Sequence, residues 1–251
     1  MTGVGGGVLT VPVLILIMRL DPISAVGTAS LYSVLTKIYA AFRHHRQKTV
    51  SVRVGLRFLV PALPGVICSS LLVMWGTASL SPAGVDTLQS AISYVIILSI
   101  VFSLVVLLFD SRFEGTPSSP GLGRTLSAFS VFLVGAIIGA TSIGGGILII
   151  PALLLFYRDS SNFVGTSIFV AILLMLVMSV IYGVLGQHSD SGAVNLRVAG
   201  FMALGSLVGT HYGSGLSKRI EPRRLWFVVV GVIILAAAMM FADRLGIFRD
   251  A

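Results

Sequence analysis

The chain has 251 residues and a formal net charge of +8, with 17 Lys and Arg against 9 Asp and Glu. Hydrophobic residues make up 56% of it and charged residues only 10%, and the mean hydropathy is +1.02. So little polar surface cannot cover a soluble globule of this length, and the composition predicts an integral membrane protein. The basic residues cluster at the ends of apolar segments, which indicates membrane orientation and no nucleic-acid partner.

Nine apolar runs follow one another along the chain. Seven are long enough to cross a bilayer, which takes about 20 helical residues, and we predict helices at 23–43, 51–76, 88–109, 125–143, 162–187, 193–216 and 225–242. Two runs are too short, 8–18 and 147–157, and each follows a triple glycine and contains a proline. Half-length, Gly/Pro-broken segments in matching places are typical of the discontinuous helices of secondary transporters.

The short runs belong to an internal repeat. Its matched landmarks, in chain order, are Gly5-Gly6-Gly7 and Gly144-Gly145-Gly146, then Pro12 and Pro151, then Gly27-Thr28 and Gly165-Thr166, then 50–54 with Gly65 and 194–198 with Gly209. A chance match would rarely keep this order, so we predict two copies of one unit, residues 1–115 and 120–251.

The two copies differ at their beginnings. The second has an apolar run, 125–143, ahead of its triple glycine, whereas the first has only Met1-Thr2-Gly3-Val4. The repeat therefore predicts a further helix of roughly 20 residues ahead of the first triple glycine, so that the first repeat lacks its first helix in this sequence.

The loops predict the orientation of the helices. Basic residues concentrate in 43–53 and 217–224, whereas 77–87 and 188–193 contain no Lys or Arg. Basic loops stay in the cytoplasm, so the helix at 23–43 runs inward and its counterpart in the second copy runs outward. We predict two inverted repeats of about five helical segments each, in a multi-pass protein of the cell (plasma) membrane.

The triple glycines suggest an anion-binding site. Backbone N–H groups at a helix start lack intrahelical partners and carry the positive end of the helix dipole, so a glycine run can bind an anion without a buried lysine. Pro12 and Pro151 each leave a carbonyl one turn back without its donor. Within a membrane such a carbonyl needs another partner, so we expect it to line a cavity. The alternative is that the glycines only let two helices pack closely.

Side chains near these points could add donors or charge. The candidate anion donors are Thr28, Ser30, Thr141, Ser142, Thr166 and Ser167, although Ser and Thr also serve as helix caps and contacts. Lys37 is a possible counter-charge or a lysine that reaches back to the interface. His211 is a candidate proton relay or an interfacial histidine, and Cys68, within an apolar run, is expected to be a small buried side chain.

Two other classes of function compete with a transporter. A membrane-embedded enzyme needs a nucleophile with a base, or a metal cluster, and the chain has no His-Glu-x-x-His or Gly-x-Ser-x-Gly motif and only one cysteine. We therefore expect no catalytic site, no metal and no cofactor. A passive anion channel remains the alternative. Saturable, gradient-driven uptake would distinguish a transporter from such a channel.

The motif segments resemble a known family. The runs 3–12 with 25–30, and 142–151 with 164–167, are similar to the two signature repeats of the sulfite exporter TauE/SafE family of membrane permeases, and the resemblance covers nearly the whole chain. It implies transport of small sulfur-containing anions such as sulfite, thiosulfate or organosulfonates, coupled to a proton or sodium gradient, with the glycine runs, the two prolines and the Gly-Thr pairs on the pathway. Ala29 departs from the pattern, because the second repeat has Ser167 there.

Overall fold

A computed structural model describes residues 7–46, 50–113, 124–144, 148–156, 163–186, 194–217 and 222–244. These ranges contain helices and no strand. The helices are α1 Gly7–Leu16, α2 Pro22–Arg46, α3 Val52–Ser79, α4 Pro82–Phe113, α5 Arg124–Thr141, α6 Ile149–Phe156, α7 Phe163–Leu185, α8 Leu196–Ser217 and α9 Pro222–Arg244. One helix corresponds to each predicted apolar run, so the all-α polytopic fold is confirmed.

Three stretches in the described part of the chain are long and apolar enough to cross a membrane on length and composition alone: Val52–Ser79, Pro82–Phe102 and Val164–Leu185. They lie in α3, α4 and α7. By contrast, α1 has 10 residues and α6 has 8, too short to cross a bilayer at a rise of about 1.5 Å per residue. The two broken segments predicted from the glycine-proline pattern are therefore short helices.

Local residues set where the long helices begin. The Asp21 carboxylate accepts the backbone N–H groups of Ile23 at 3.1 Å and Ser24 at 2.9 Å, and Pro22 opens α2 where its missing N–H has no cost. At α8 the Asn195 side-chain oxygen accepts the N–H of Val198 at 3.1 Å. Both caps satisfy donors that a helix start leaves without partners.

Glycines bring α3 and α5 into backbone contact. A Cβ built on Gly65 of α3 would overlap the carbonyl oxygen of Phe132, and one on Gly135 of α5 would overlap that of Ala62. Small residues in membrane helices permit such an approach, and dispersion then replaces the hydrophobic effect as the packing force. The α3–α5 pair therefore forms a tightly packed unit that joins the two repeats.

The remaining packing places α2 and α7 at the centre of the bundle. The two helices pack on each other; α2 also contacts α1 and α8, while α7 contacts α3 and α6. The large side chains that are fully buried include Leu174, Met175, Met178 and Tyr182, all on α7. The elements that carry the two Gly-Thr pairs thus lie against each other in the core.

The expectation for Cys68 is wrong. It is exposed on α3, whereas Ser70, two residues further on, is buried. In a membrane the outer surface of a helix is as apolar as its interior, so an apolar run does not show which of its residues face protein.

Candidate functional site

The helical conformation breaks immediately after α5, at the second glycine run. Ser142 adopts φ 57°, a left-handed conformation that is uncommon for a residue with a side chain, and it is fully buried. Its N–H still donates to the carbonyl of Ile138 at 2.8 Å, but the next N–H, of Ile143, turns to the Thr141 hydroxyl at 3.2 Å. The helix therefore ends inside the protein, beside buried polar groups.

The end of α5 leaves a carbonyl without a helical donor, and two other helices supply donors to it. The Gly139 carbonyl would accept the N–H of Ile143 if α5 continued. Instead it accepts the Ser70 hydroxyl of α3 at 3.2 Å and the Tyr182 hydroxyl of α7 at 3.1 Å. These bonds tie three helices together at the break, which we call the Gly139 tie.

The predicted hydroxyl donors differ in what they bond. Ser30 donates to the carbonyl of Gly27 at 2.6 Å, Ser167 to that of Val164 at 2.8 Å and Thr141 to that of Ile137 at 2.7 Å, each in its own helix. Ser142 instead donates to the thioether sulfur of Met175 at 3.6 Å. A thioether is a weak acceptor, so the Ser142 hydroxyl loses least by turning to a ligand.

The glycines and prolines are only partly within the described residues. Gly7 is the first residue of α1, Pro12 is buried inside that helix, and Pro151 is the third residue of α6. Gly27, Gly144 and Gly165 are buried, and a Cβ on Gly144 would come within 2.8 Å of the Ile138 side chain. The predicted site residues Gly5, Gly6, Gly145 and Gly146 lie outside the described residues.

The two Gly-Thr pairs form a reciprocal arrangement between the repeats. The Thr28 hydroxyl oxygen of α2 accepts the backbone N–H of Asn195 at 3.0 Å, at the start of α8. The Thr166 hydroxyl oxygen of α7 accepts the backbone N–H of Ser51 at 2.9 Å, at the start of α3. Each threonine thus bonds the residue before the first turn of a helix from the other repeat.

These two contacts lie at opposite ends of the bundle. The path along α2 from Thr28 to Arg46 rises about 27 Å, close to the hydrocarbon thickness of about 30 Å, and Ser51 follows five residues later. Because Thr166 contacts Ser51, α7 begins where α2 ends, and the two helices are antiparallel. Following the orientation that the basic loops predict, we call the Thr28–Asn195 bond the outer contact and the Thr166–Ser51 bond the inner contact.

The candidate charged groups are residues of α2 and α8. Lys37 is half-buried in the interior of α2, and His211 is a residue of α8. Among the described residues, no three His, Cys, Asp or Glu side chains come together as metal ligands. Apart from the hydroxyl of Tyr182, the buried polar side chains of the same residues are all serines and threonines: Thr10, Ser24, Thr28, Ser30, Ser33, Ser70, Ser93, Ser99, Thr141, Ser142, Thr166 and Ser167.

Sequence reasoning missed the partners of the candidate residues. Ser51 and Asn195 were within the matched landmarks 50–54 and 194–198, so the repeat contained a signal for the reciprocal contacts, but only as an equivalence between copies. Met175 and Tyr182 belong to a continuous apolar helix and had no such signal.

Comparison with known proteins finds relatives described as probable membrane transporters. A protein of Bacillus subtilis (strain 168) described as "Probable membrane transporter protein YjnA" is 32% identical over 247 residues, 94% of this chain and 91% of that relative. A second from the same organism, "Probable membrane transporter protein YunE", is 26% identical over 273 residues, 98% of this chain and 92% of the relative. No solved structure matches significantly.

The fold and these relatives define a multi-pass membrane transporter. The family described as "Sulfite exporter TauE/SafE" matches residues 1–240. The chain belongs to this family, which confirms the resemblance found in its two signature repeats.

Proposed function

We propose that this transporter moves a small sulfur-containing anion, such as sulfite, thiosulfate or an organosulfonate, by alternating access coupled to a proton or sodium gradient. The observation that carries the proposal is the state of Ser142 at the end of α5. Its side chain is fully buried, its backbone is in a left-handed conformation, and its hydroxyl donates to a weak acceptor, the Met175 sulfur. The family description and the relatives' names support the class of cargo and the transport function respectively.

The chemistry of the interior favours an anion that is held mainly by neutral donors. The buried polar side chains of the described residues are hydroxyls only, and hydroxyl and backbone N–H groups can solvate an oxyanion at little electrostatic cost when it leaves. A buried lysine or arginine would hold the anion more tightly, but it would also have to remain buried after release. Neutral donors therefore suit a site that must bind and release its cargo in each cycle.

The proposed pathway residues are those of the two broken segments and the Gly-Thr pairs. They are Gly5, Gly6, Gly7, Pro12, Gly27, Thr28, Ser30, Thr141, Ser142, Gly144, Gly145, Gly146, Pro151, Gly165, Thr166 and Ser167, with Lys37 as a counter-charge and His211 as a proton relay. We rank Ser142 first among them because its hydroxyl donates to a weak acceptor, the Met175 sulfur.

The test is uptake of labelled sulfite and thiosulfate into proteoliposomes. Ser142→Ala should raise the half-saturating concentration at least about tenfold, because a hydrogen bond to a charged group contributes about 1.5–3 kcal/mol. Ser99→Ala is the matched control: Ser99 is a buried serine on α4 that donates to the carbonyl of Val95. It should leave transport unchanged.

Several outcomes would contradict the proposal. An unchanged half-saturating concentration for Ser142→Ala would remove Ser142 from the site. Uptake that neither saturates nor accumulates against a gradient would indicate a passive anion channel. Gly145→Ala tests the glycine run in the same assay: normal transport there would favour close helix packing over anion binding.

A further inference from the structure

We propose that the outer and inner contacts are the two gates of the transport cycle, and that both are closed in this structure. The proposal rests on the proposed transport function and names the residues that open and close the pathway. Thr28 and Thr166 act as positioning residues: each holds the start of a helix from the other repeat.

The internal repeat supplies the first step. Thr28 and Thr166 are equivalent residues of the two copies, and their partners Asn195 and Ser51 are equivalent as well. Inverted repeats produce alternating access when the two copies exchange conformations about a central site. The outer and inner contacts are equivalent by the repeat and lie at opposite ends of the bundle. In such a cycle they are the contacts that open in turn.

The bonds themselves are suited to repeated opening. Each contact includes a hydrogen bond from a backbone N–H that its own helix does not use, since Ser51 and Asn195 precede the first turns of α3 and α8. Both threonines are fully buried. When a gate opens, water can replace the lost bond, so each contact is held closed mainly by the exclusion of water.

The Gly139 tie supplies a pivot for the inner gate. It joins α3, α5 and α7 through Ser70 and Tyr182, and Tyr182 lies about 24 Å along α7 from Thr166. With α3 and α5 in backbone contact, that pair can swing as one body away from the start of α7 while its far end stays attached. A contact at one end and a tie at the other is the geometry of a hinge.

Two reporter cysteines test the proposal in a Cys68→Ser background. Ser33→Cys lies five residues beyond Thr28 on α2, and Ala171→Cys lies five residues beyond Thr166 on α7; both native side chains are buried. In oriented vesicles, an impermeant maleimide is added to the outside or the inside, and the labelling rate of each reporter is measured.

Each gate variant should act in one direction only. Thr28→Val removes the hydroxyl acceptor and should raise labelling of Ser33→Cys from outside about tenfold, while labelling of Ala171→Cys from inside falls, because the two open states exclude each other. Thr166→Val should do the reverse, and Thr28→Ser should restore the starting rates. Thr36→Val, which loses only bonds to carbonyls of its own helix, should shift neither reporter.

The outcomes separate the gates from the cargo. If either valine variant changes the labelling rates of both reporters equally, or changes neither, the contacts are ordinary helix caps and the proposal is overturned. Opposite shifts without uptake of any sulfur anion would keep the gates and reject the proposed cargo. If the valine variants do not fold, a Thr28→Cys/Asn195→Cys pair decides: its oxidation should stop uptake and reduction restore it, and full uptake by the oxidised protein would overturn the proposal.

Discussion

Helices α3 and α8 are the same element of the repeat in different surroundings. Each follows directly after a residue whose N–H donates to a threonine hydroxyl of the other repeat. Gly65 of α3 then touches the backbone of α5, whereas a Cβ on its counterpart Gly209, or on Gly205 one turn earlier, would meet no heavy atom of the described residues within 4 Å. Phe201, one turn before Gly205 on α8, is 74% exposed.

The comparison separates two kinds of information in the repeated sequence. The start of a helix depends on a few local groups and one partner, and both copies reproduce it. The environment of the helix depends on what packs against it, and equal residues do not guarantee equal partners. A glycine in a membrane helix therefore permits a close contact without showing that one exists.

The largest expected effect distinguishes the two matched glycines. Gly65→Val should destabilise the protein by about 3 kcal/mol, the upper end of the usual cost of overpacking, or prevent insertion, because the new side chain meets a backbone carbonyl that cannot move aside. Gly209→Val should stay within about 0.5 kcal/mol, since Val is somewhat better than Gly in a helix. Thermal unfolding in one detergent, together with the yield of folded protein, measures both.

Each possible failure of this pair has a distinct meaning. A tolerated Gly65→Val would contradict the tight α3–α5 unit. If Gly209→Val instead destabilises as strongly as Gly65→Val, the glycine face of α8 is covered by another helix in the membrane, and the two copies are more alike than the described residues show.

A moderate effect is expected at the Gly139 tie, which α3 makes with α5 and α7. Tyr182→Phe removes one of two donors to the carbonyl and should cost about 1 kcal/mol, or roughly 2–4 °C in the melting temperature. Tyr94→Phe is the control, because Tyr94 is exposed on α4. Equal melting shifts for the two variants would mean that the Tyr182 bond does not stabilise the break.

The helices were predictable because run length and hydropathy determine which segments can cross a membrane. All nine predicted runs correspond to helices, and the two short ones, α1 and α6, are those that follow the triple glycines in the sequence. Side-chain environment was less predictable: the prediction for Cys68 is wrong because a lipid-facing and a protein-facing position have the same apolar neighbours in sequence. The difference between Gly65 and Gly209 was invisible for the same reason.

For the site, the repeat identified the threonines but not their role. Equivalence between Thr28 and Thr166 follows from the landmarks alone, whereas the bonds to Asn195 and Ser51 depend on how the copies face each other. Ser142 was one of six equal candidates in sequence. Its partner, the Met175 sulfur, and its left-handed backbone conformation distinguish it from the hydroxyls that bond their own helices.

The smallest effect should come from an exposed residue of α3. Cys68 is exposed there, three residues after Gly65 and two before the buried Ser70. Cys68→Ala removes one small group from a surface that meets lipid, and surface substitutions away from special features stay within about 0.5 kcal/mol. We therefore expect a melting temperature within about 2 °C of the unchanged protein and normal uptake. A larger loss would show that this face also packs against protein in the membrane, and α3 would then be enclosed on both sides, which would widen its difference from α8.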